Sequence, residues 1–446
     1  MVRSWASGVL AALLALPAAH AAAQAAGDKQ EVLERVSALE EELALLRRKL
    51  EVQDEAAASR APQPVVGAGQ DGFYLRSADA KYQLKLRGYT QFDGRFFNES
   101  ASGTTPETFA FRRIRPILEG TLGGVVDFRL MPDFAGSTLV VQDAYANLRY
   151  LPEAQLQFGK FKGPVSLERL QSPTAMYFIE RGFPKLFAPN RDTGVMLQGV
   201  LGENVANYQL AWTNGVNDNG LGDADTNDPK DLTGRFFVHP FQQTWLEPLQ
   251  GLGVGFAASY GRQSGAPPTY RTAGQQTLLS FANGVVQTGT RRRYYPQAYW
   301  YWGPFGLLAE YAYSSGKLVD AAGTVDARTD NHAWQVEVGY VLTGENASYR
   351  GVVPSSSFDP FSGTFGALEL VARIGQVDFD DAGQQSGLVT ASSPEAARDW
   401  AIGANWYPSR FTKLALNYER TTFDGFGAAP DRDPEGLVVG RFQLSY

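Results

Sequence analysis

The stretch YQLKLRGYTQFDGRF, residues 82–96, alternates between two kinds of side chain over fifteen residues. One face carries Tyr82, Leu84, Leu86, Gly88, Thr90, Phe92, Gly94 and Phe96, and the other carries Gln83, Lys85, Arg87, Tyr89, Gln91, Asp93 and Arg95. A period of two is the pattern of a β-strand, whose successive side chains point to opposite faces. Fifteen residues are enough for a tilted strand that crosses a membrane and continues beyond it.

The same alternation returns along the rest of the chain. It predicts about sixteen strands, at roughly 82–97, 109–122, 124–134, 139–151, 154–162, 192–201, 204–214, 230–240, 249–262, 291–302, 305–317, 330–343, 364–377, 398–408, 411–423 and 436–446. A soluble sandwich also alternates, so the pattern alone does not decide the class. The aromatic run YYPQAYWYWGPFG (294–306) and the long loops rich in Gly, Asp and Asn favour an all-β, sixteen-stranded antiparallel transmembrane barrel. A barrel of that size keeps a water-filled lumen.

The first seventy residues differ from the rest. Residues 1–23 have the basic start, apolar run and small residues of a cleaved secretory signal, with cleavage after Ala21 or after Ala23 left open. The chain has no cysteine, so disulfides play no part in its stability. We predict a coiled-coil segment at 28–52, a linker at 53–70 and the barrel at 71–446.

The coiled-coil prediction rests on apolar residues spaced 4, 3, 4, 3 and 4 apart, namely Val32, Val36, Leu39, Leu43, Leu46 and Leu50. In a parallel assembly, the flanking charged residues of neighbouring helices have opposite signs. The alternative is a single amphipathic helix that packs on the barrel. We favour self-association that reinforces an oligomer formed elsewhere, because so few heptads are marginal alone. The spacing does not fix the oligomer number.

Six motifs support a family resemblance. They are LKLRGYTQFDGRFF (84–97), FRRIRPILEG (111–120), FGKFKGPVSLE (158–168), FIERGFPKLFAPNRDTGVMLQG (178–199), YVLTGE (340–345) and GANWYPS (403–409). In this order they resemble the phosphate-selective porin O and P family of the outer membrane. The resemblance implies a homotrimer of sixteen-stranded barrels in outer-membrane lipid, each taking up phosphate or polyphosphate past an inward-folded loop at about 163–191. The C-terminal strand, ending at Tyr446, also resembles the strand by which outer-membrane barrels are recognised for assembly.

The resemblance also implies an anion-binding site. Arg112 and Arg113 match the family's arginine pair, Asp143 its acidic position and Ser172 a hydroxyl position. Two positions depart from the family: Arg169 replaces a lysine, and Arg115 stands where these porins carry a tyrosine. We therefore expect a pore that prefers anions but discriminates less for orthophosphate. Further pore-lining residues are expected at Lys85, Arg87, Arg95, Lys160, Lys162, Arg181, Lys185 and Arg191.

Charge is distributed unevenly along the chain. The whole chain has a formal net charge of -7, whereas residues 160–192 hold six cationic and three anionic side chains, 6 − 3 = +3. In strict alternation Arg112 and Arg113 face opposite sides, and an arginine facing mid-membrane lipid costs roughly 2 to 4 kcal/mol. We therefore expect either a β-bulge that turns both inward or a place at the rim. Rim or loop positions are expected for residues 291–293, which are all arginine.

Other functions receive little support. His239 and His332 lie far apart without a nucleophile motif, so we predict no catalytic residues and no cofactor. The acidic segment NDNGLGDADTNDPKD (217–231) lacks the glycine and distal glutamate of an EF-hand, so we expect a polar turn and no metal site. No nucleic-acid-binding module is present. We predict a passive anion channel, with a general, weakly selective porin as the alternative and a barrel enzyme or an adhesin as remoter ones.

Overall fold

The computed structural model describes residues 27–58, 63–69, 72–99, 106–222, 225 and 228–446. The expected signal segment, 1–23, lies outside the described residues. The chain divides into two compact units, residues 1–63 and 64–446. Among the described residues, no helix is both long and apolar enough to span a bilayer.

The first unit contains one helix, α1, from Gly27 to Ala58. Leu39, Leu43, Leu46 and Leu50 are all more than half exposed on it. The helix continues past residue 52, where we expected a linker to begin, because the residues that follow include Glu55 and three alanines, which favour helix. The predicted linker also contains a strand, β1, Val65–Gly69, which pairs with β2, Gly72–Arg76. This hairpin is held by the barrel, since β2 pairs with the first barrel strand.

The second unit is a closed antiparallel barrel of sixteen strands. They are β3 (Gln83–Glu99), β4 (Thr108–Leu122), β5 (Val126–Asp133), β6 (Val140–Leu151), β7 (Ala154–Phe161), β8 (Asp192–Leu201), β9 (Ala206–Thr213), β10 (Asp231–Val238), β11 (Leu252–Gly265), β12 (Val286–Trp302), β13 (Phe305–Val319), β14 (Asp326–Val341), β15 (Ala367–Asp378), β16 (Ala396–Ser409), β17 (Thr412–Asp424) and β18 (Glu435–Ser445). Each pairs with its neighbour in sequence, and β18 closes the barrel on β3. The predicted number and order of strands are confirmed.

The alternation in the sequence corresponds to the two faces of the wall. Gln91 and Asp93 on β3 are at most 1% exposed and point into the lumen, whereas Phe92 and Phe96 are 37% and 40% exposed on the outside. Closure of the barrel pairs the first strand with the last, so the barrel has no unpaired strand edge. The polar face is therefore the lining of the lumen.

The two ends of the barrel differ. The terminal end contains the start of β3, the end of β18 and several tight turns, together with two longer segments, 239–251 and 342–366. The opposite, loop end carries the connection between β9 and β10 and the one between β11 and β12. Four short helices lie in the connections: α2 (Leu167–Leu170), α3 (Ala382–Gln385) and two 3-10 turns (Phe183–Phe187 and Glu247–Leu249).

A hydrophobic cluster fills one side of the lumen. Three connections enter it, at 165–188, 270–285 and 379–389, and they pack against inward-facing residues of β11 to β17. Phe187, Tyr270 and Phe379 form its aromatic centre, with ring centroids 5.5 to 6.4 Å apart. We call this cluster the lumen plug. It leaves the open space of the barrel beside the wall formed by β3 to β9.

Candidate functional site

A β-bulge in β4 turns two adjacent arginines inward. Arg113 lies opposite Gln91 of β3, but the next pair along the ladder is Phe111 with Phe92, so Arg112 is an extra residue. The side chains of Arg112 and Arg113 both point into the lumen, while Phe111 is exposed on the outer face. Of the two geometries that the sequence allowed, the structure has the bulge.

A second bulge lies in β6. Met131 of β5 is opposite Asp143, and the neighbouring Pro132 is opposite Val141, so Gln142 has no partner in the ladder. Gln142 and Asp143 are therefore both buried on the inner side. The sequence analysis did not identify Gln142, because a bulge interrupts the alternation from which inward positions were read.

The segment between β7 and β8, residues 162–191, lies inside the barrel, and we call it the inner loop. Its helix α2 is capped by Ser166 and anchored by Glu310, whose carboxylate accepts from the backbone N–H of Leu167 at 2.9 Å and of Glu168 at 3.1 Å. Farther along, Arg441 of β18 donates to the Ile179 carbonyl at 2.9 Å. The inner loop is thus tied to two separate parts of the barrel wall, β13 and β18.

Glu180 of the inner loop faces the arginine pair. Its carboxylate lies 2.6 Å from Nε of Arg112 and 2.9 Å from Nη2 of Arg95. Arg95 and Arg441 also bind Asp93, at 3.3 and 2.6 Å, which continues the network along the wall. The bulge and the inner loop therefore stabilise each other through buried, charge-assisted hydrogen bonds.

Between the inner loop and the wall is a cavity of about 350 Å³, which we call the constriction cavity. Two carboxylates line it, Asp133 and Glu180. Nine cationic side chains also line it: Arg112, Arg113, Arg115, Lys162, Arg169, Arg181, Lys185, Arg191 and Arg271. The described residues of this lining have a formal charge of 9 − 2 = +7, opposite in sign to the -7 of the whole chain.

Several of these cations donate to neutral acceptors. Arg113 donates to the side-chain oxygen of Gln91 at 2.7 Å. Nη2 of Arg169 donates to the Lys185 carbonyl and to Oδ1 of Asn219. Similarly, two backbone carbonyls accept from Arg181, and two accept from Lys162. Neutral acceptors fix the position of a cation without cancelling its charge.

The structure places two predicted anion-binding residues elsewhere. Asp143 pairs with Arg191 at 2.6 Å and Arg129 at 3.2 Å, whereas Glu180 is the carboxylate beside Arg112. Ser172 makes a hydrogen bond with Thr174 and does not line the constriction cavity. Sequence could not assign these contacts, because they depend on how a thirty-residue loop folds back. Arg115 does line the cavity and pairs with Asp133 at 2.7 Å.

A second cavity, of about 490 Å³, opens towards the terminal end, and we call it the vestibule. It includes Ser172 and Arg87, the latter paired with Glu119 at 2.8 Å. The vestibule and the constriction cavity share Lys162, Pro173 and Arg191, so they adjoin each other. Three predicted pore-lining residues, Lys85, Arg95 and Lys160, line neither cavity.

Arg291 and Arg293 are not rim charges, contrary to the sequence-based expectation. Both are 1% exposed, and they pair with Asp231 at 2.8 and 3.2 Å. Arg293 also binds Asp218 at 2.7 Å, in the connection between β9 and β10. They face inward because of alternation on β12, whereas Arg292 between them is exposed. The acidic segment 217–231 therefore supplies counter-charges to the wall.

The part of the chain that the structure describes includes potential metal-ligating side chains and the two histidines His239 and His332. No group of three or more potential ligand side chains there is arranged to hold a metal. Asp223 and Asn227 lie outside the described residues. His239 donates to or accepts from the Tyr299 hydroxyl at 2.7 Å, and His332 lies 3.3 Å from Asp378. Each histidine thus has a local structural partner.

Comparison with known proteins agrees with this architecture. The profile of the family described as phosphate-selective porin O and P matches residues 83–446. The chain belongs to this family. As a member of the porin O and P family, it is an outer-membrane channel. An uncharacterized protein of Caulobacter vibrioides is 26% identical over 98% of this chain and 96% of its own length.

Solved structures with the same fold are also outer-membrane proteins. The outer membrane channel DcaP of Acinetobacter baumannii matches with a TM-score of 0.53 and 15% identity, over 83% of this chain and 99% of its own. OmpT of Vibrio cholerae matches with a TM-score of 0.50 and 10% identity, over 82% of this chain and 98% of its own. At such identities these likenesses show the fold of the porin alone.

Proposed function

We propose that this porin carries small anions passively across the outer membrane, with phosphate or polyphosphate among them. The observation that supports this proposal is the constriction cavity, whose lining holds nine cations and two carboxylates. Charges that line a narrow passage with low-dielectric walls control which ions enter, whatever the net charge of the protein. A formal charge of -7 on the whole chain is therefore compatible with anion selectivity.

Conduction requires attraction that is readily reversed. An anion with unit charge 4 Å from one guanidinium gains roughly 4 kcal/mol at an effective dielectric near 20, before desolvation is subtracted. Several cations acting together would hold an anion too long for transport. Glu180 reduces this attraction at the arginine pair, because its carboxylate lies 2.6 Å from Arg112.

Selectivity for orthophosphate is expected to be modest. Arg169 occupies the family's lysine position, and its Nη2 is already bound to the Lys185 carbonyl and the Asn219 side chain. A guanidinium fixed in this way contributes charge, but it presents only part of its donor fork to a solute. Arg113, which has a neutral partner, is the better candidate for direct contact with a passing anion.

We further propose a homotrimer. Strands β5, β7, β9 and β10 have eight residues each. At about 3.3 Å per residue and a tilt near 40°, such strands cross roughly 20 Å, less than an apolar band of about 25 Å. Trp212, Leu232 and Phe236 are at least half exposed on the part of the barrel wall that these short strands form. Neighbouring barrels would cover this part of the wall, and the exposed leucines of α1 would join the chains as a coiled coil.

We also propose that residues 1–23 are a secretory signal that directs export of the chain.

The test is a recording from the purified porin in a planar bilayer. Reversal potential in a potassium chloride gradient gives the ion selectivity, and phosphate and pyrophosphate are then titrated as blockers of the chloride current. Anion selectivity with phosphate block supports the proposal. Anion selectivity without block indicates a general anion pore, and equal permeability of chloride and potassium would refute the proposal.

A further inference from the structure

A third cavity, of about 380 Å³, lies in the lumen on the side of β8 to β12. Its lining includes Arg235, Phe237, Tyr299 and Tyr349, and we call it the aromatic recess. The recess shares Leu170, Gln198 and Gln209 with the vestibule, so the two cavities adjoin each other. Its composition differs from that of the constriction cavity, since the described residues of its lining include one cation, Arg235, and several aromatic rings.

The cation of the recess is held by neutral groups. Arg235 donates from Nε to the Gln297 side chain at 3.0 Å and from Nη1 to that of Asn207 at 3.1 Å. Its guanidinium carbon lies 4.7 Å from the centre of the Phe237 ring. These contacts orient the guanidinium and leave its positive charge uncancelled. A cation in this setting is suited to an anionic group of a solute.

The rings of the recess present apolar surface. Tyr299 and Tyr349 are stacked with centroids 5.2 Å apart. Their hydroxyl groups are engaged, that of Tyr299 with His239 and that of Tyr349 with the Leu167 carbonyl. With the polar ends occupied, the ring surfaces are the part available to a solute. Flat rings favour stacking against another ring or a flat apolar face.

Two glycines on β11 leave space for the Phe237 ring of the recess. On β11, a Cβ added to Gly253 or Gly255 would lie 2.5 or 2.3 Å from the Phe237 ring, far closer than contact allows. Glycine at these two positions therefore permits the ring to lie flat beneath Arg235. Amide side chains complete the surroundings, since Gln198 and Gln209 lie where the recess meets the vestibule. The recess thus combines a cation, rings and amides that can hydrogen-bond.

We propose that the aromatic recess binds small organic anions that carry a ring, such as an aromatic carboxylate. The carboxylate would lie against Arg235, and the ring would pack on Tyr299 and Tyr349. An inorganic oxyanion would bind the guanidinium of Arg235 but would make no stacking contact with the rings. The proposal rests on the proposed function only for the route by which the solute arrives, because binding itself requires no conduction.

The test is isothermal titration calorimetry on the full-length porin in detergent. Benzoate is the probe, acetate supplies the carboxylate without the ring, and benzyl alcohol supplies the ring without the charge. We expect benzoate to bind at least about five-fold more tightly than either, since about 1 kcal/mol for the additional contact corresponds to that factor. Equal affinity of benzoate and acetate would overturn the proposal.

Variants locate the site. Arg235→Gln and Tyr349→Leu should each weaken benzoate binding at least about five-fold, whereas Arg398→Gln, on the exposed part of β16 and away from the recess, should not change it. Arg235→Lys keeps the charge and should retain more affinity than Arg235→Gln, and heat-dependent gel migration checks that each variant is folded. Unchanged benzoate affinity in folded Arg235→Gln would refute the assignment. If benzoate binds in this pattern but bilayers show no anion preference, the recess stands and the proposed transport function fails.

Discussion

Replacing Arg113 with glutamine tests the electrostatic basis of anion selectivity. Arg113 is buried in the constriction cavity, and it donates a hydrogen bond to the neutral side chain of Gln91. At 4 Å, one unit charge contributes about 1 kcal/mol in water and about 4 kcal/mol at an effective dielectric near 20. The pore is hydrated, so the lower figure sets the minimum effect. It corresponds to roughly five-fold weaker block of the chloride current by phosphate.

The matched control is Arg398→Gln, which also removes one positive charge. Arg398 lies on the exposed part of β16 and pairs with Asp424 at 2.9 Å, away from both cavities. We expect Arg113→Gln to lower the chloride-to-potassium permeability ratio and weaken phosphate block, with little change in Arg398→Gln. Glutamine can still bond with Gln91, so the barrel should assemble normally. Equal effects of the two substitutions would contradict the argument, because they would show that net charge rather than position governs selectivity.

Three other predictions concern the supporting structure. Asp218→Asn weakens the buried pair with Arg293, and because loss of one partner costs roughly 3 to 5 kcal/mol, the barrel should unfold at a lower temperature in a heat-dependent gel assay. Deleting Arg112 removes the extra residue of the bulge, so the barrel should still assemble with Arg113 inward; failure to insert into membranes would contradict this. Leu43→Asp in α1 should lower the temperature at which the oligomer dissociates on native gels without changing barrel unfolding, and unchanged dissociation would argue against a coiled coil.

The wall of the barrel could be predicted from sequence because its pattern is local. Each strand repeats a two-residue period, so the sixteen strands, and their inward faces outside the bulges, follow from neighbouring residues alone. The hairpin of β1 and β2 was missed because its strands have five residues each and depend on pairing with β3. A short strand without a repeated pattern gives too little signal to distinguish it from a linker.

The contacts inside the barrel could be predicted only in part. The motifs identified Arg112 and Arg113 as a pair, and alternation required either a bulge or a rim position. The partner of Arg112 was not predictable, since Glu180 lies 68 residues away and reaches it only through the fold of the inner loop. For the same reason, the sequence did not indicate that Asp143 would pair with Arg191 of the inner loop.

The lumen plug has a consequence for how porins of this design can change. The open passage through the lumen is bounded on one side by strands and on the other by folded connections, so the number of strands alone does not set its width. Adding or removing a few residues in one of these connections would alter the width of the passage. Such an edit would leave the register of all sixteen strands and the lipid-facing surface intact. The sixteen strands can therefore stay the same while the connections that narrow the lumen change.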